Sequence, residues 1–380
     1  MLQFVERPGL IDLGWGHPLP SALPVESWTA AGEAALRTYS WRALTYGYAA
    51  GPAPLVEWIC DRLGQTDGRA PQPAEVFVTA GASQALELVS GVLTRPGDTV
   101  LVDSPTYHLA LRILADRDVR IVGAPAGAGG IDIEATGALL HRLRGAGRRV
   151  PLLYLVPTFG NPTGASLSTS RRWALVEMAA AAGMTILEDD TYRELTYDGP
   201  APPSLWSLAE GRGVIRVSSF SKTVGPGLRL GWLTADPGMV RTLAGRGFID
   251  SGGGLNHATA LTMAVFAASG RYAEHVQAMR RMYRDNRDAL VAALLDELPE
   301  LDVPVPGGGW FIWLRLPGGL SAADLLPNAE AHGVSFLTGS RFYVHPAGDD
   351  HIRLSFSMYE PDTLAEGARR LGQALAATGI

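Results

Sequence analysis

Among the 32 lysine and arginine residues of this 380-residue chain, a single one, Lys222, is lysine. A neutral amine can add to a carbonyl and form a Schiff base, and its pKa falls when its surroundings disfavour charge. A guanidinium stays protonated and is not a nucleophile. Lys222 closes the run Ser219-Phe220-Ser221-Lys222, and Arg229 follows seven residues later, so two hydroxyls and a guanidinium surround the amine in sequence. That grouping suits a dianion held beside an amine. A second anion-binding pattern is Gly81-Ala82-Ser83-Gln84, a small-residue turn between a strand pattern and a helix pattern. Such a turn presents unpaired N–H groups and the positive end of the helix dipole to a phosphate. Two further runs carry polar groups at the ends of apolar stretches. Asn161 stands in Gly160-Asn161-Pro162-Thr163-Gly164, and Asp189 and Tyr192 stand in Glu188-Asp189-Asp190-Thr191-Tyr192. A carboxylate at the end of a buried strand faces the crevice where α/β proteins bind ligands. Each run also has a plainer reading: a capped helix start, an Asn-Pro turn, a solvated acidic loop, a polar loop with a snorkelling lysine.

Other chemistries are excluded by what is missing. Lys222 is not preceded by the glycine-rich run of a phosphate loop, and no G-x-G-x-x-G follows the first strand pattern. The eight histidines show no metal-ligand spacing, so no metal site is expected. Gly81-Ala82-Ser83-Gln84-Ala85 nearly imitates a nucleophile elbow, but its last position is Ala and no histidine–acid partnership can be picked out. Cys60 is the only cysteine, which rules out an intrachain disulfide. A net charge of −6 gives no electrostatic footprint for nucleic acid or an anionic membrane. The first residues carry Glu6 and no cleavable apolar run, and no stretch reaches the ~18 apolar residues of a membrane span. A reduced, cytoplasmic protein is expected.

The elements that must hold these residues follow from periodicity. Apolar runs at 76–79, 100–103, 119–122, 152–156, 185–188, 214–218 and 228–233 read as buried strands. Between them, 55–63, 83–93, 107–115, 133–143 and 170–182 have helical spacing. Continuous apolar strands separated by helices predict a mostly parallel sheet covered on both faces. The last two strands follow one another without a helix, which predicts one antiparallel member. Helical stretches follow at 237–246, 255–268 and 273–295, the last a candidate connector. Shorter strands at 310–316 and 351–356 then bracket a helix at 321–332, and a closing helix runs over 361–376. The first forty residues are punctuated by Pro and Gly and read as an arm. The small residues of 123–130 read as a loop. The expected division is an arm with part of a small domain over 1–40, a large α/β domain over 41–280 and a small α+β domain over 281–380.

Taken together, the runs resemble the fold-type I pyridoxal-phosphate enzymes, the aspartate-aminotransferase superfamily of class I and II aminotransferases. The nearest likeness is to the kynurenine/2-aminoadipate aminotransferase subgroup, to which the sensor domains of certain bacterial regulators are also similar. Asn161-Pro162-Thr163-Gly164, Asp189-x-x-Tyr192, Ser219-x-x-Lys222 with Arg229, and Ile352-Arg353-Leu354-Ser355-Phe356 carry the resemblance. It implies a seven-stranded, mostly parallel large domain and pyridoxal 5′-phosphate as cofactor. Lys222 then forms the Schiff base and moves the proton at the substrate's Cα. Asp189 pairs with the pyridine nitrogen, and Asn161 and Tyr192 bond the phenolate oxygen. Tyr107, in Ser104-Pro105-Thr106-Tyr107, stacks on the ring. Ala82, Ser83, Gln84, Ser219, Ser221 and Arg229 hold the phosphate. Arg353 grips the substrate α-carboxylate, with the Gly16 backbone beside it. Tyr46, in Leu44-Thr45-Tyr46-Gly47, reaches the phosphate of a neighbouring subunit, which makes the enzyme a homodimer with shared sites.

The chain departs from the subgroup at Trp15, at Gly160 and at Trp310, which follows Pro306-Gly307-Gly308-Gly309. All three are expected near the substrate, with Trp15 among the substrate-binding residues. The expected activity is amino transfer between an α-amino acid and a 2-oxo acid. The alternatives are a lyase or decarboxylating deaminase using the same cofactor, for example in β-elimination of a cysteine conjugate, and a sensor domain without catalysis. The sensor reading is disfavoured because no basic DNA-binding domain precedes residue 40 and because Lys222, Asp189 and Arg353 are all present.

Overall fold

The computed structural model describes residues 7–127 and 129–378. Positions 1–6 of the expected arm, Ala128 in the expected 123–130 loop and the last two residues lie outside them. The large sheet has seven strands in the order Val76–Thr79, Gly231–Thr234, Val214–Ser219, Thr185–Asp189, Leu152–Leu155, Thr99–Val102 and Arg120–Gly123. Gly231–Thr234 runs antiparallel to both of its neighbours, whereas the pairs from Val214–Ser219 outward are parallel. The antiparallel member is the one expected from the missing helix.

Side chains alternate across this sheet with the period of two that a strand imposes. Leu152 and Tyr154 enter one core with Phe77, Val89, Val102 and Leu187. Leu153 and Leu155 enter the opposite core with Ile186, Leu175 and Trp206. Both faces are buried, which is why these strands read as unbroken apolar runs. Helix Ala82–Leu93 covers the first face, and helix Thr169–Ala181 contributes Leu175 and Ala179 to the second.

A smaller antiparallel sheet joins Phe311–Arg315, His351–Ser355 and Leu337–Thr338, with His351–Ser355 in the centre. Helices Arg271–Glu297 and Pro361–Ala376 pack on it through Leu290, Leu294, Leu364 and Leu371. Arg271–Glu297 is 27 residues long. Its first turns place Tyr272 and Val276 in a core with Leu55 and Val78, and its later turns place Met279 and Leu294 with Phe311 and Leu354.

The structure departs from the sequence reading at four places. The arm contains a helix, Val25–Tyr39, which buries only Ala31 and Ala35. Its packing face consists of Trp28 with the small residues Ala31 and Ala35, and Pro18, Pro20 and Pro24 ahead of it dominate the pattern. Ile11–Asp12 pairs in parallel with Val334–Ser335 beside the small sheet. The strand read at 228–233 begins only at Gly231, because Pro226–Leu228 forms a 3-10 turn and Arg229 adopts a left-handed conformation with φ of 46°. Within 123–130, a short hairpin pairs Ala126 and Gly127 with Ile131 and Gly130.

Phe77 is fully buried at the heart of the first core. Phe77→Ala is expected to cost about 3–5 kcal/mol of stability, measured by chemical denaturation of the cofactor-free protein. A loss within the ~0.5 kcal/mol typical of surface positions would contradict this placement.

Candidate active site

The polar residues converge at the carboxyl ends of the parallel strands, where each chain leaves the sheet before its helix. Asp189 is the last residue of its strand, Ser219 the last of the neighbouring one, and Lys222 stands in the turn that follows. Asn161 lies in the turn after Leu152–Leu155. Arg353 comes from the central strand of the small sheet, and Gly14 and Gly16 come from the N-terminal segment.

The Lys222 Nζ donates to the Gly16 carbonyl at 3.3 Å and lies 4.5 Å from the centre of the Trp310 ring. Tyr192 is on another side, with its ring centre 5.8 Å from Nζ. Burial pulls the amine down to about 8; Arg353 and Arg229 push in the same direction and Asp189 opposes them. The amine is therefore far easier to deprotonate than an ordinary lysine.

Asp189 is buried, and both of its oxygens accept hydrogen bonds from neutral groups. Tyr154 donates its hydroxyl at 2.9 Å, and Thr191 donates its hydroxyl at 2.6 Å. Burial raises the carboxyl above its ordinary pKa and these hydrogen bonds counter the rise. Among the described residues, no arginine or lysine forms a salt bridge with it. Nearby, Asp103 accepts from the Val156 N–H at 3.1 Å, and burial lifts its carboxyl to about 7.

The Arg353 guanidinium carbon lies 4.0 Å from the centre of the Phe311 ring and 5.1 Å from that of Phe342. One of its terminal nitrogens donates to Asn161 Oδ1 at 2.7 Å and the other to the Gly14 carbonyl, while its buried Nε has no partner. Asn161 is in turn hydrogen-bonded to Tyr192. Lys222, Gly16, Tyr192, Asn161 and Arg353 are thus one connected group. Tyr107 is half-buried beside it and feels the charges of Asp189, Arg353 and Arg229.

A second group lies around the start of helix Ala82–Leu93. Gly81 has φ of +91°, and a Cβ there would come within 2.8 Å of Arg229 Nη2. Arg229 donates to the Ala80 and Pro226 carbonyls, both at 3.2 Å. Ala82 and Gln84 are half-buried and Ser83 is exposed; the Gln84 side-chain Oε1 accepts from the Ala80 N–H at 2.7 Å. Ser219 and Ser221 share a hydrogen bond of 2.8 Å.

Two expected residues stand apart in the single chain. Tyr46 is 80% exposed, and Trp15 is 38% exposed with its ring against His17. Sequence reasoning missed Tyr154, Thr191, Gly14, Asp103 and Phe311. A tyrosine inside a fully buried strand, on the strand next to that of Asp189, is the one signal that could have found Tyr154.

These groups fit a phosphorylated pyridine aldehyde on three counts. A helix start and a guanidinium meet at a glycine where no side chain fits, which leaves room for an anion. A buried carboxylate held only by neutral donors retains its charge for a cationic ring nitrogen. A lysine amine of lowered pKa, bonded to the Gly16 carbonyl, feels the charges of both Asp189 and Arg229. No group of His, Cys, Asp and Glu among the described residues could hold a metal ion.

The fold and site therefore define a pyridoxal-phosphate enzyme of fold type I. Residues 8–371 match the family model described as aminotransferase class I and II, and the chain belongs to that family. It is 34% identical to the 2-aminoadipate transaminase of Thermus thermophilus, over 99% of this chain and 92% of that one. It is 31% identical to the aromatic-amino-acid aminotransferase 1 of Thermococcus litoralis, over 99% and 90% of the two chains. Among solved structures it is similar to the α-aminoadipate aminotransferase LysN from Thermus thermophilus complexed with N-(5′-phosphopyridoxyl)-L-leucine. That likeness has a TM-score of 0.87 and 33% identity, and covers 97% of this chain and 93% of the other. The protein is a pyridoxal-phosphate-dependent aminotransferase.

In cofactor-free protein, acylation of Lys222, quantified by peptide mapping, is expected to rise through a midpoint at about pH 8, because enclosure favours the neutral amine. A midpoint at the ordinary lysine value would mean that the amine is solvated. Gly81→Val is expected to weaken cofactor binding at least tenfold, or about 1.4 kcal/mol, in an absorbance titration. Unchanged affinity would place the phosphate elsewhere.

Proposed function

We propose that Lys222, Asp189, Asn161, Tyr192 and Arg353 carry amino transfer between an α-amino acid and a 2-oxo acid. The observation that carries the reading is the enclosure of the one lysine amine between the Gly16 carbonyl and the Trp310 ring, in one connected group with Arg353. When bound, pyridoxal phosphate supplies an aldehyde that condenses with an amine and a ring that takes up the electrons released at the substrate's Cα.

The chain's residues divide the remaining work. Lys222, as the neutral amine, would hold the cofactor's aldehyde carbon and would carry the proton to and from the substrate's Cα as general base and acid. Its lowered pKa keeps both protonation states within reach near neutral pH. Asp189 stays ionised against a protonated ring nitrogen, and Tyr154 and Thr191 hold its two oxygens in place. Tyr192 and Asn161 donate to the ring's phenolate oxygen, and Tyr107 packs on the ring. The backbone N–H groups of Ala82, Ser83 and Gln84, with Ser219, Ser221 and Arg229, hold the phosphate.

Arg353 binds the substrate carboxylate beside the Gly16 backbone. A planar fork can give a carboxylate two parallel hydrogen bonds, so its terminal nitrogens exchange their present carbonyl partners for the substrate. Trp15, Trp310 and Phe311 supply an aromatic surround for the substrate side chain. The charged residues that act on Lys222 are Arg353, Asp189 and Arg229. With Arg353 committed to the α-carboxylate and Arg229 to the phosphate, no further cation among the described residues acts on Lys222, which favours an apolar or aromatic substrate over an acidic one.

A second copy of the chain completes the site in this reading. Trp41, Leu44, Tyr46, Tyr48 and Phe248 are all between 65% and 81% exposed. So much exposed apolar surface, four of the five residues within 41–48, calls for a partner. The stretch adjoins the phosphate group: Tyr46 and Gly47 pack against Gly253, and Asn256 donates to the Arg229 carbonyl. Tyr46 would then serve the neighbouring site of a homodimer. No helix among the described residues is long and apolar enough to cross a membrane.

Incubation of holoenzyme with an aromatic amino acid is expected to yield its 2-oxo acid and pyridoxamine phosphate. Adding a second 2-oxo acid then regenerates the aldehyde with a new amino acid. Release of ammonia with thiol, or of carbon dioxide, would replace this reading with elimination or decarboxylation. Arg353→Lys, which keeps charge but loses the fork, is expected to raise KM for the amino acid about 10–100-fold while the cofactor stays bound. An unchanged KM would move the carboxylate away from this residue.

A further inference from the structure

Behind Asp189, on the far side of the turn Asp190–Arg193, four charged residues form a closed ring. Arg216 reaches Asp67 at 3.0 Å with one terminal nitrogen and Asp190 at 2.8 Å with the other. Arg193 reaches Asp67 at 2.6 Å and Asp190 at 3.6 Å. Each acid thus stands between two arginines, and each arginine between two acids. All four residues are no more than 8% exposed. Burying four charges is costly unless every one is paired, and removing one partner leaves another charge stranded.

The ring's position gives it a consequence for the site. Asp190 and Arg193 bracket Thr191 and Tyr192, the two residues of this turn that reach the active site. The Asp190 N–H is bonded to the Val217 carbonyl at 2.9 Å, which fixes the turn's beginning to the sheet. Its end is fixed by Arg193, which donates to the Asp67 carboxylate at 2.6 Å and to the Pro202 carbonyl. Asp67 belongs to neither the turn nor the sheet; it is the last residue of helix Ala53–Asp67. A carboxylate there opposes the helix dipole, which favours cations at that end. Its placement is therefore set by the two arginines and by Ser204, whose N–H it accepts at 2.9 Å. A residue that breaks its own helix's preference in order to complete a buried ring beneath a functional turn is a candidate for a role in the site.

We propose that Asp67 is a positioning residue for Tyr192, acting through Arg193 and the rigid turn to hold the phenol against the cofactor. The inference rests on the reading of Tyr192 given above. It assigns a role to a residue that touches neither cofactor nor substrate.

The test uses reconstituted holoenzyme and the pH titration of the bound cofactor's visible absorbance. Losing a donor to the ring's phenolate oxygen makes that oxygen and the linked nitrogen more basic, so the midpoint moves up. Tyr192→Phe is expected to raise it by about one unit, the size of one hydrogen bond to a charged oxygen. Asp67→Asn is expected to raise it by at least about a third of that shift. In the Tyr192→Phe background, Asp67→Asn is expected to add nothing. A lower melting temperature with an unmoved midpoint would make Asp67 merely structural and overturn the proposal. An equal shift in both backgrounds would overturn it too, because the effect would not pass through Tyr192. If Tyr192→Phe itself leaves the midpoint unchanged, the reading of Tyr192 fails first and the proposal with it. Should Asp67→Asn not give soluble holoenzyme, Arg193→Lys removes the second arm of the same link and is judged by the same outcomes.

Discussion

The structure depends on keeping one amine out of water and beside positive charge. Lys222 is enclosed by Gly16, Tyr192 and Trp310, and the cations Arg353 and Arg229 both act to lower its pKa. An ammonium in that position is penalised by desolvation and by its neighbours; a neutral amine escapes both costs. Arg353 cannot yield its charge in Lys222's place, since a guanidinium remains protonated even where burial draws it down to about 10. The imbalance therefore falls on the lysine, the one member of the group able to respond. The same excess of positive charge suits a ligand that brings a phosphate and a carboxylate.

Holding that group requires three parts of the chain that lie far apart in sequence. The parallel strands deliver Asp189, Ser219 and the turn bearing Lys222 to one edge. The small antiparallel sheet delivers Arg353, with Phe311 on the neighbouring strand packed against its guanidinium. The N-terminal segment closes over both, and it does so through backbone: the Gly14 carbonyl meets Arg353 and the Gly16 carbonyl meets Lys222. Glycine is required at 16 for a steric reason, because a Cβ there would lie 2.9 Å from the Phe311 ring. The pairing of Ile11–Asp12 with Val334–Ser335, together with the Ser355 N–H bonded to the Leu13 carbonyl at 2.7 Å, ties this segment to the small-sheet side of the molecule. Strand edge, guanidinium and covering segment are thus mutually dependent.

Much of this was legible in the residues, for reasons that can be named. The buried strands showed as unbroken apolar runs because both sheet faces are covered, and the missing helix before Gly231–Thr234 marked the antiparallel strand. Lys222 stood out because the chain has no other lysine, and Asn161, Asp189 and Arg353 because they occur in runs with a known family pattern. What stayed hidden depends on relations that a linear pattern does not carry. Helix Val25–Tyr39 packs through Trp28 and two alanines, with prolines ahead of it that read as an arm. Tyr154 looks like any other apolar position of its strand until Asp189 is placed beside it. Asp67 lies 125 residues from Tyr192, at a helix end where an acid reads as a solvated C-terminus. Tyr46 and Trp15 could be named but not brought into the connected group, since both remain exposed in the single chain.

The three successive acids at 188–190 show how one strand end can give similar side chains different tasks. Strand geometry turns alternate residues to opposite faces, so Glu188 and Asp190 leave on the side away from Asp189. Glu188 accepts the N–H groups of Leu205 and Trp206 at 2.9 and 3.0 Å, capping a short helix start, and lies 3.7 Å from Arg172. Asp190 is spent on Arg216. Asp189 alone meets only neutral donors. Had an arginine been placed beside Asp189 as well, its charge would be satisfied within the chain and nothing would remain for a cationic ring nitrogen. The arginines crowd the face behind the sheet, where they stabilise the turn without competing for the carboxylate in front. The division follows from the two-residue period of the strand combined with the placement of Arg172, Arg193 and Arg216 on one side. A shift of register by one residue would turn Asp189 toward those arginines and bring Glu188 and Asp190 to the site side, so that the single acid would be neutralised and two would face the crevice without their partners.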